Sequence, residues 1–186
     1  LIGGLSALVW LGFSALLPST IAAGGAMAVM IMLTGALHED GFADCCDGLG
    51  GGANRERALD IMRDSRIGAY GAIGLIMVIG LRWSGLAAFD ATAGAMALLI
   101  APVLSRGAMT LMLRYGAYAR EDGAARVVKE GVSDREILFS SFTCLAVAIA
   151  FGGVAGALAA AVGLIASLTW LAWLKRKLGG YTGDGL

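Results

Sequence analysis

The stretch "AMAVMIMLTGALHEDGFADCCDGLGGG", Ala26 to Gly52, decides how this chain is read: twelve residues without a charge run straight into four acids, Glu39, Asp40, Asp44 and Asp47. The apolar half has the character of a membrane helix, and the acidic half sits at its mouth. The surrounding composition agrees. Of 186 residues, 58% are hydrophobic and 15% charged, against roughly 25% charged in an ordinary soluble domain, and the mean hydropathy is +0.78. Comparable apolar runs lie at about 1–17, 21–37, 67–81, 91–113, 137–151 and 154–174, several near the ~20 residues that cross a hydrocarbon core.

Six spans are therefore expected, the third and fifth being short. They must be helices, because a bilayer core satisfies no backbone groups and unalternating runs exclude a barrel. Small residues recurring through "GAYGAIGLIMVIG" suit close helix packing. The expected fold is all-α: a polytopic transmembrane helical bundle forming one integral membrane domain over residues 1–186, trimmed at both ends. The opening "LIGGLSALVW" has neither a basic leader region nor a small-residue cleavage site. Cys45, Cys46 and Cys144 form no disulfide framework and no metal-ligand spacing. Trp10, Trp83, Trp170 and Trp173 are expected in interfacial belts.

Formal charge is zero, with 14 basic and 14 acidic residues, so only its distribution informs. If six spans alternate, 38–66, 114–136 and the tail share one face, and they carry twelve of the fourteen basic residues. Arg82 falls in an opposite loop and Arg106 inside a span. Basic loops favour the cytoplasmic side. Thirteen of the fourteen acids lie on the same side, for which that rule gives no reason.

Asp40, Asp44 and Asp47 are spaced i, i+4, i+7, within an arc of about 60° on a helix. Like charges so stacked repel unless a cation lies among them. Carboxylate oxygens suit Mg²⁺, Mn²⁺ or Ca²⁺. The following "GLGGG" permits a tight turn, Asn54 is a suitable N-cap, and Asp60 and Asp64 are again i, i+4. Three readings compete: a salt-bridged loop, with Asp60 paired to Arg57 and Asp64 to Arg63; an ion pathway; and a metal site for phosphoryl transfer. In the last, Asp carboxylates hold one or two ions and Arg57, Arg63 and Arg66 grip phosphate oxygens. Acids at a membrane-embedded end favour a functional reading, and their place at an end rather than the midplane disfavours a transporter.

"HEDGFADCCDGLGGG", "ALDIMRDSRIGAYG" and "KLGGYTGDGL" together resemble the cobalamin (5'-phosphate) synthases, or adenosylcobinamide-GDP ribazoletransferases, of bacterial and archaeal membranes. His38, Asp40, Gly41, Ala43, Asp44, Asp47 and Gly48 match H-x-D-G-x-A-D-x-x-D-G, and Ile61 to Gly68 match I-M-[KR]-D-S-R-I-G. A more distant likeness is to the CDP-alcohol phosphotransferases, whose paired acidic signature is echoed by Asp44-x-x-Asp47-Gly48 and Asp60-x-x-x-Asp64. No Ala-Arg pair follows Gly48, and the interval between the two halves is shorter.

The resemblance implies a CDP-alcohol-phosphotransferase-like core and a Mg²⁺-dependent phosphotransferase, with Mn²⁺ as a substitute, at the cytoplasmic face of the bacterial inner membrane. It would join alpha-ribazole, or its 5'-phosphate, to adenosylcobinamide-GDP and release GMP. Asp40, Asp44, Asp47, Asp60 and Asp64 would hold one or two ions. Asp64 would be the general base, with His38 as the alternative. Glu39, Arg57, Arg63, Arg66, Arg106, Arg120 and Asp184 would contact substrate. Partners are these substrates and membrane lipid, with no nucleic acid; a homo-oligomer is compatible. The alternative functions are a CDP-alcohol phosphatidyltransferase-like lipid enzyme and a divalent-cation transporter.

Overall fold

The computed structural model describes residues 1–119 and 132–186, and among these every regular element is helical. In order they are α1 (Ile2–Ser14), α2 (Ser19–Thr34), α3 (Leu37–Gly51), α4 (Arg55–Ile61), α5 (Ala69–Ala87), α6 (Ala91–Tyr115) and α7 (Asp134–Leu178).

Three of them, α5, α6 and α7, are long and apolar enough to cross a membrane, and the bent pair α2 and α3 makes a fourth if counted as one span. The expected six separate spans are not what the helices show by length and composition. Instead the fifth and sixth apolar runs form the single element α7, interrupted at Gly153, whose φ of 54° and ψ of −134° are not helical. A straight helix of 45 residues would measure about 67 Å. Both ends of α7 nevertheless reach the same place: Asp134 pairs with Arg114 at 3.0 Å, and Lys175 Nζ donates to the Tyr115 carbonyl at 3.1 Å. The chain therefore doubles back at Gly153, in a conformation that glycine adopts without a Cβ penalty. Its two arms share an apolar cavity against α6, lined by Leu104 and Leu111 from α6, Leu145 from one arm and Leu164 from the other.

α1 and α2 pack antiparallel, and α1 lies along the first half of α6. Trp10, only 1% exposed, donates to the Ala91 carbonyl at 2.7 Å, so it belongs to the core and not to an interfacial belt. Burying the ring while pairing its N–H satisfies both halves of the side chain. Around this packing, large apolar side chains face outward on α2, α5 and both arms of α7, as at Met32, Ile76, Leu138, Phe142, Val162 and Ile165. Apolar surface on that scale needs lipid or protein to cover it.

Between α2 and α3, Gly35 and Ala36 both adopt left-handed backbone (φ 62° and 57°), and the two helix axes meet at 87°. The consequence for function is large. The acidic stretch is the helix on which the i, i+4, i+7 spacing placed its aspartates, and it runs antiparallel along α5: Glu39 meets Arg82 at one end, and Gly50 lies under Tyr70 at the other. Arg82 is accordingly inside α5 and not in an opposite loop. Nor does "GLGGG" make a turn there, since α3 continues to Gly51. Its missing side chains serve packing: a Cβ on Gly48 would collide with Met62, and one on Gly50 with Tyr70.

Candidate active site

The loop after α3 begins with the expected cap, for Asn54 Oδ1 accepts from Arg57 N–H at 2.9 Å. α4 then ends at Ile61, so Asp60 and Asp64 are not on one continuous helical face. Asp64 lies in the turn that follows, where its carboxylate accepts from the Arg66 guanidinium at 2.6 and 3.0 Å and from the Arg66 backbone N–H at 3.1 Å. That side-chain hydrogen bond, with the backbone one behind it, lowers the Asp64 pKa to about 2. Asp60 lies 3.9 Å from Arg63, a weak exposed pair. Both ion pairs belong to the salt-bridged reading, with partners shifted from those expected.

Asp47 is treated differently. It is 8% exposed, and its two oxygens accept from the backbone N–H groups of Gly68 (2.7 Å) and Gly71 (2.8 Å). These are the first turn of α5, so a carboxylate from α3 caps another helix at its positive end. A Cβ at Gly68 or Gly71 would strike that carboxylate, which explains why glycine stands at both positions of "IGAYG". Asp47, Asp60 and Asp64 thereby line one cleft of about 290 Å³ together with Arg57, Arg66 and Tyr70. Asp44 and Asp40 do not line it; they stand about one and two turns back along α3.

The tail closes on α3 from the other side. Gly179 ends α7 in left-handed conformation (φ 77°). Beyond it, Tyr181 and Ala117–Ala119 exchange two backbone hydrogen bonds of 2.8 Å. Arg55 fastens both segments, donating from Nε to the Leu178 carbonyl at 2.8 Å and from Nη2 to that of Ala119 at 2.9 Å. Asp184 is thus brought against α3, where a Cβ on Gly41 would touch its backbone at 2.9 Å. Nothing in the sequence distinguished Arg55 from the other basic residues.

His38, Glu39 and Arg106 are elsewhere. They line a separate cavity of about 300 Å³ with Arg82, Met30 and Thr34, and no residue is shared with the Asp64 cleft. Arg82 was the missed member, and its signal was available: a lone arginine inside an apolar run implies a partner within the bundle. Arg120 lies outside the described residues.

The donor chemistry of the Asp64 cleft, carboxylate oxygen alone, fits a hard divalent cation. The arrangement is not a formed centre: among the described residues no three His, Cys, Asp or Glu side chains are placed to hold a metal ion. The reason is visible in the partners, since Arg66 holds Asp64 and the α5 amides hold Asp47.

Helices throughout the described residues, with outward apolar faces, are the character of a membrane protein, and its cleft sets carboxylates beside arginines at the start of α5. The chain belongs to the cobalamin-5-phosphate synthase family, whose model matches residues 1–186. Among similar proteins is the adenosylcobinamide-GDP ribazoletransferase of Leptothrix cholodnii, 43% identical over all of this chain and 74% of that protein. Those of Ralstonia nicotianae (40%, all of this chain and 74% of that protein) and Azorhizobium caulinodans (42%, 98% and 72%) carry the same name. No solved structure matches.

Proposed function

We propose that this chain joins alpha-ribazole, or its 5'-phosphate, to adenosylcobinamide-GDP and releases GMP, forming adenosylcobalamin or its 5'-phosphate. The family match supports this reading over a lipid phosphotransferase or a cation transporter. The observation that carries it into the molecule is the cleft where Asp47, Asp60 and Asp64 face Arg57 and Arg66.

In the transfer, a ribose hydroxyl attacks the phosphorus attached to cobinamide. A new P–O bond forms, the P–O bond to GMP breaks, and GMP leaves with the electron pair. The hydroxyl proton goes to a carboxylate within hydrogen-bond reach. Asp64 is that base, with His38 as the alternative. An Asp64 held at about 2 by Arg66 is a weak base at neutral pH, since catalysis favours a pKa near the working pH. An arriving diphosphate supplies Arg66 with a stronger anionic partner, so binding and release of Asp64 are one event. Arg57 and Arg63 complete the grip on phosphate oxygens. Asp184, on the far side of α3, contacts the acceptor.

Mg²⁺, or Mn²⁺, as one or two ions, belongs to the same cleft, held by Asp47, Asp60 and Asp64 with Asp44 and Asp40 behind them. When bound it neutralises charge on the diphosphate. Six crossings are counted by taking α1, α2 with α3, α5, α6 and each arm of α7 as one, around a CDP-alcohol-phosphotransferase-like core. The cleft faces the cytoplasm from the bacterial inner membrane, because Arg55, Arg57, Arg63, Arg66, Arg114 and Lys175–Lys177 cluster at its end. Release of GMP from adenosylcobinamide-GDP by the protein in vesicles tests the reading. Release only when alpha-ribazole or its phosphate is present supports it; release into a lipid alcohol instead, or none, refutes it.

A further inference from the structure

The second cavity contains charges that the proposed chemistry leaves unused. Glu39 and Arg82 pair at 3.0 Å, with the Glu39 side chain only 12% exposed. The other Arg82 nitrogen, Nη2, reaches only the Met30 sulfur at 3.6 Å. Arg106 finds another thioether, Met109 Sδ at 3.0 Å, which is a weak acceptor. Among the described residues it makes no ion pair. Glu39 Oε2 is buried with no hydrogen-bond partner among them. Two guanidiniums therefore meet one carboxylate, with His38 beside them, in a space of about 300 Å³ walled by membrane-type helices.

Both arginines are exposed, Arg82 with 41% of its side chain, so the cavity is open on their side, and a cation left uncancelled between membrane-type helices marks a binding site by default. The cavity lacks an anion on the arginine side and a hydrogen-bond donor on the Glu39 side. A neutral amide would leave the surplus charge standing, whereas a phosphate would cancel it, and guanidinium forks match phosphate oxygens bidentately. α3 links the two cavities: Glu39 and Asp47 are eight residues apart, about 12 Å along the axis, with Asp40 and Asp44 between them. That interval suits a reaction whose donor and acceptor each carry phosphate.

We propose that this cavity is a second phosphate subsite, in which Arg106 and the outer edge of Arg82 grip the phosphate of a phosphorylated ribose and Glu39 Oε2 accepts from one of its hydroxyls. The inference rests on the transfer reaction proposed above. The phosphate has two sources there, the acceptor's 5'-phosphate and the guanosine diphosphate of the donor.

The experiment compares wild type with Arg106→Gln and Arg106→Lys, the second keeping charge without the planar fork. In detergent solution, calorimetry measures binding of alpha-ribazole 5'-phosphate, alpha-ribazole and GMP, and thermal unfolding confirms that each variant is folded. If the acceptor supplies the phosphate, Arg106→Gln lowers the affinity ratio of alpha-ribazole 5'-phosphate to alpha-ribazole by about tenfold or more, with Lys intermediate. If the donor supplies it, GMP affinity falls by that factor and the ratio holds. Should both the ratio and the GMP affinity stay within about twofold of wild type in the folded variants, the subsite is overturned. These binding measurements need no turnover, so a wild type that releases no GMP refutes the transfer reaction while they still decide the subsite.

Discussion

Two aspartates of one cleft have been given opposite tasks by their neighbours. Asp47 is buried with both oxygens anchored by the α5 amides, so it is fixed in place. Asp64 is exposed in its turn, and among the described residues its carboxylate accepts hydrogen bonds from Arg66 alone, so it can exchange partners. Its folded pKa, about 2, lies below the ordinary 3.8. The Arg66 contact therefore favours the folded state fully above about pH 4, and that support is lost as pH falls through about 2. Since the site is solvent-exposed, the effect on stability is small. Replacing Arg66 with alanine should move the Asp64 midpoint up toward 3.8, read by carbon NMR of labelled carboxyls at rising pH. An unchanged midpoint would mean that some other group holds Asp64.

At the scale of elements, the glycine-rich segments are contact surfaces. α3 can lie along α5 because Gly71 and Gly74 leave room for Asp47 and Cys46, as Gly48 does for Met62. Gly71→Ala places a methyl group against the Asp47 carboxylate, and overpacking of this kind costs about 1–3 kcal/mol. The expected result is a lowered unfolding temperature in detergent together with reduced GMP release; wild-type behaviour in both would remove Asp47 from its capping role. Much of this was legible in the sequence. The Asn54 cap, the start of α6 at Ala91 and the shared α3 face of Asp40, Asp44 and Asp47 follow from local rules. What was not legible depended on distant partners. "GLGGG" has the composition of a turn, and only packing against Met62 and Tyr70 explains why α3 stays helical to Gly51. Arg82 was excluded from a span because its partner, Glu39, is 43 residues away. The end of α4 at Ile61 took Asp64 off the helix that the i, i+4 spacing had implied.

For the molecule as a whole, the bundle has two distinct ends. Trp83 and Thr20 meet at one, near the short turn from Ala88 to Asp90. The cleft, Arg55, the tail and both ends of α7 gather at the other. α5, of 19 residues, sets them about 28 Å apart, close to the thickness of a hydrocarbon core. In a background without Cys45, Cys46 and Cys144, an impermeant maleimide added outside intact cells should label Ala88→Cys and spare Ala53→Cys. The reverse pattern would put the cleft on the wrong side for cytoplasmic nucleotides.

That the Asp64 cleft performs the transfer is the claim on which the rest depends, and one variant tests it most directly. In vesicles with saturating adenosylcobinamide-GDP, alpha-ribazole and Mg²⁺, Asp64→Asn should bind the donor about as well as wild type. Its GMP release should fall about 10²-fold or more, the usual scale of general-base catalysis. Normal release by Asp64→Asn would contradict the account, and if His38→Ala were inactive under the same conditions, the reaction would belong to the other cavity.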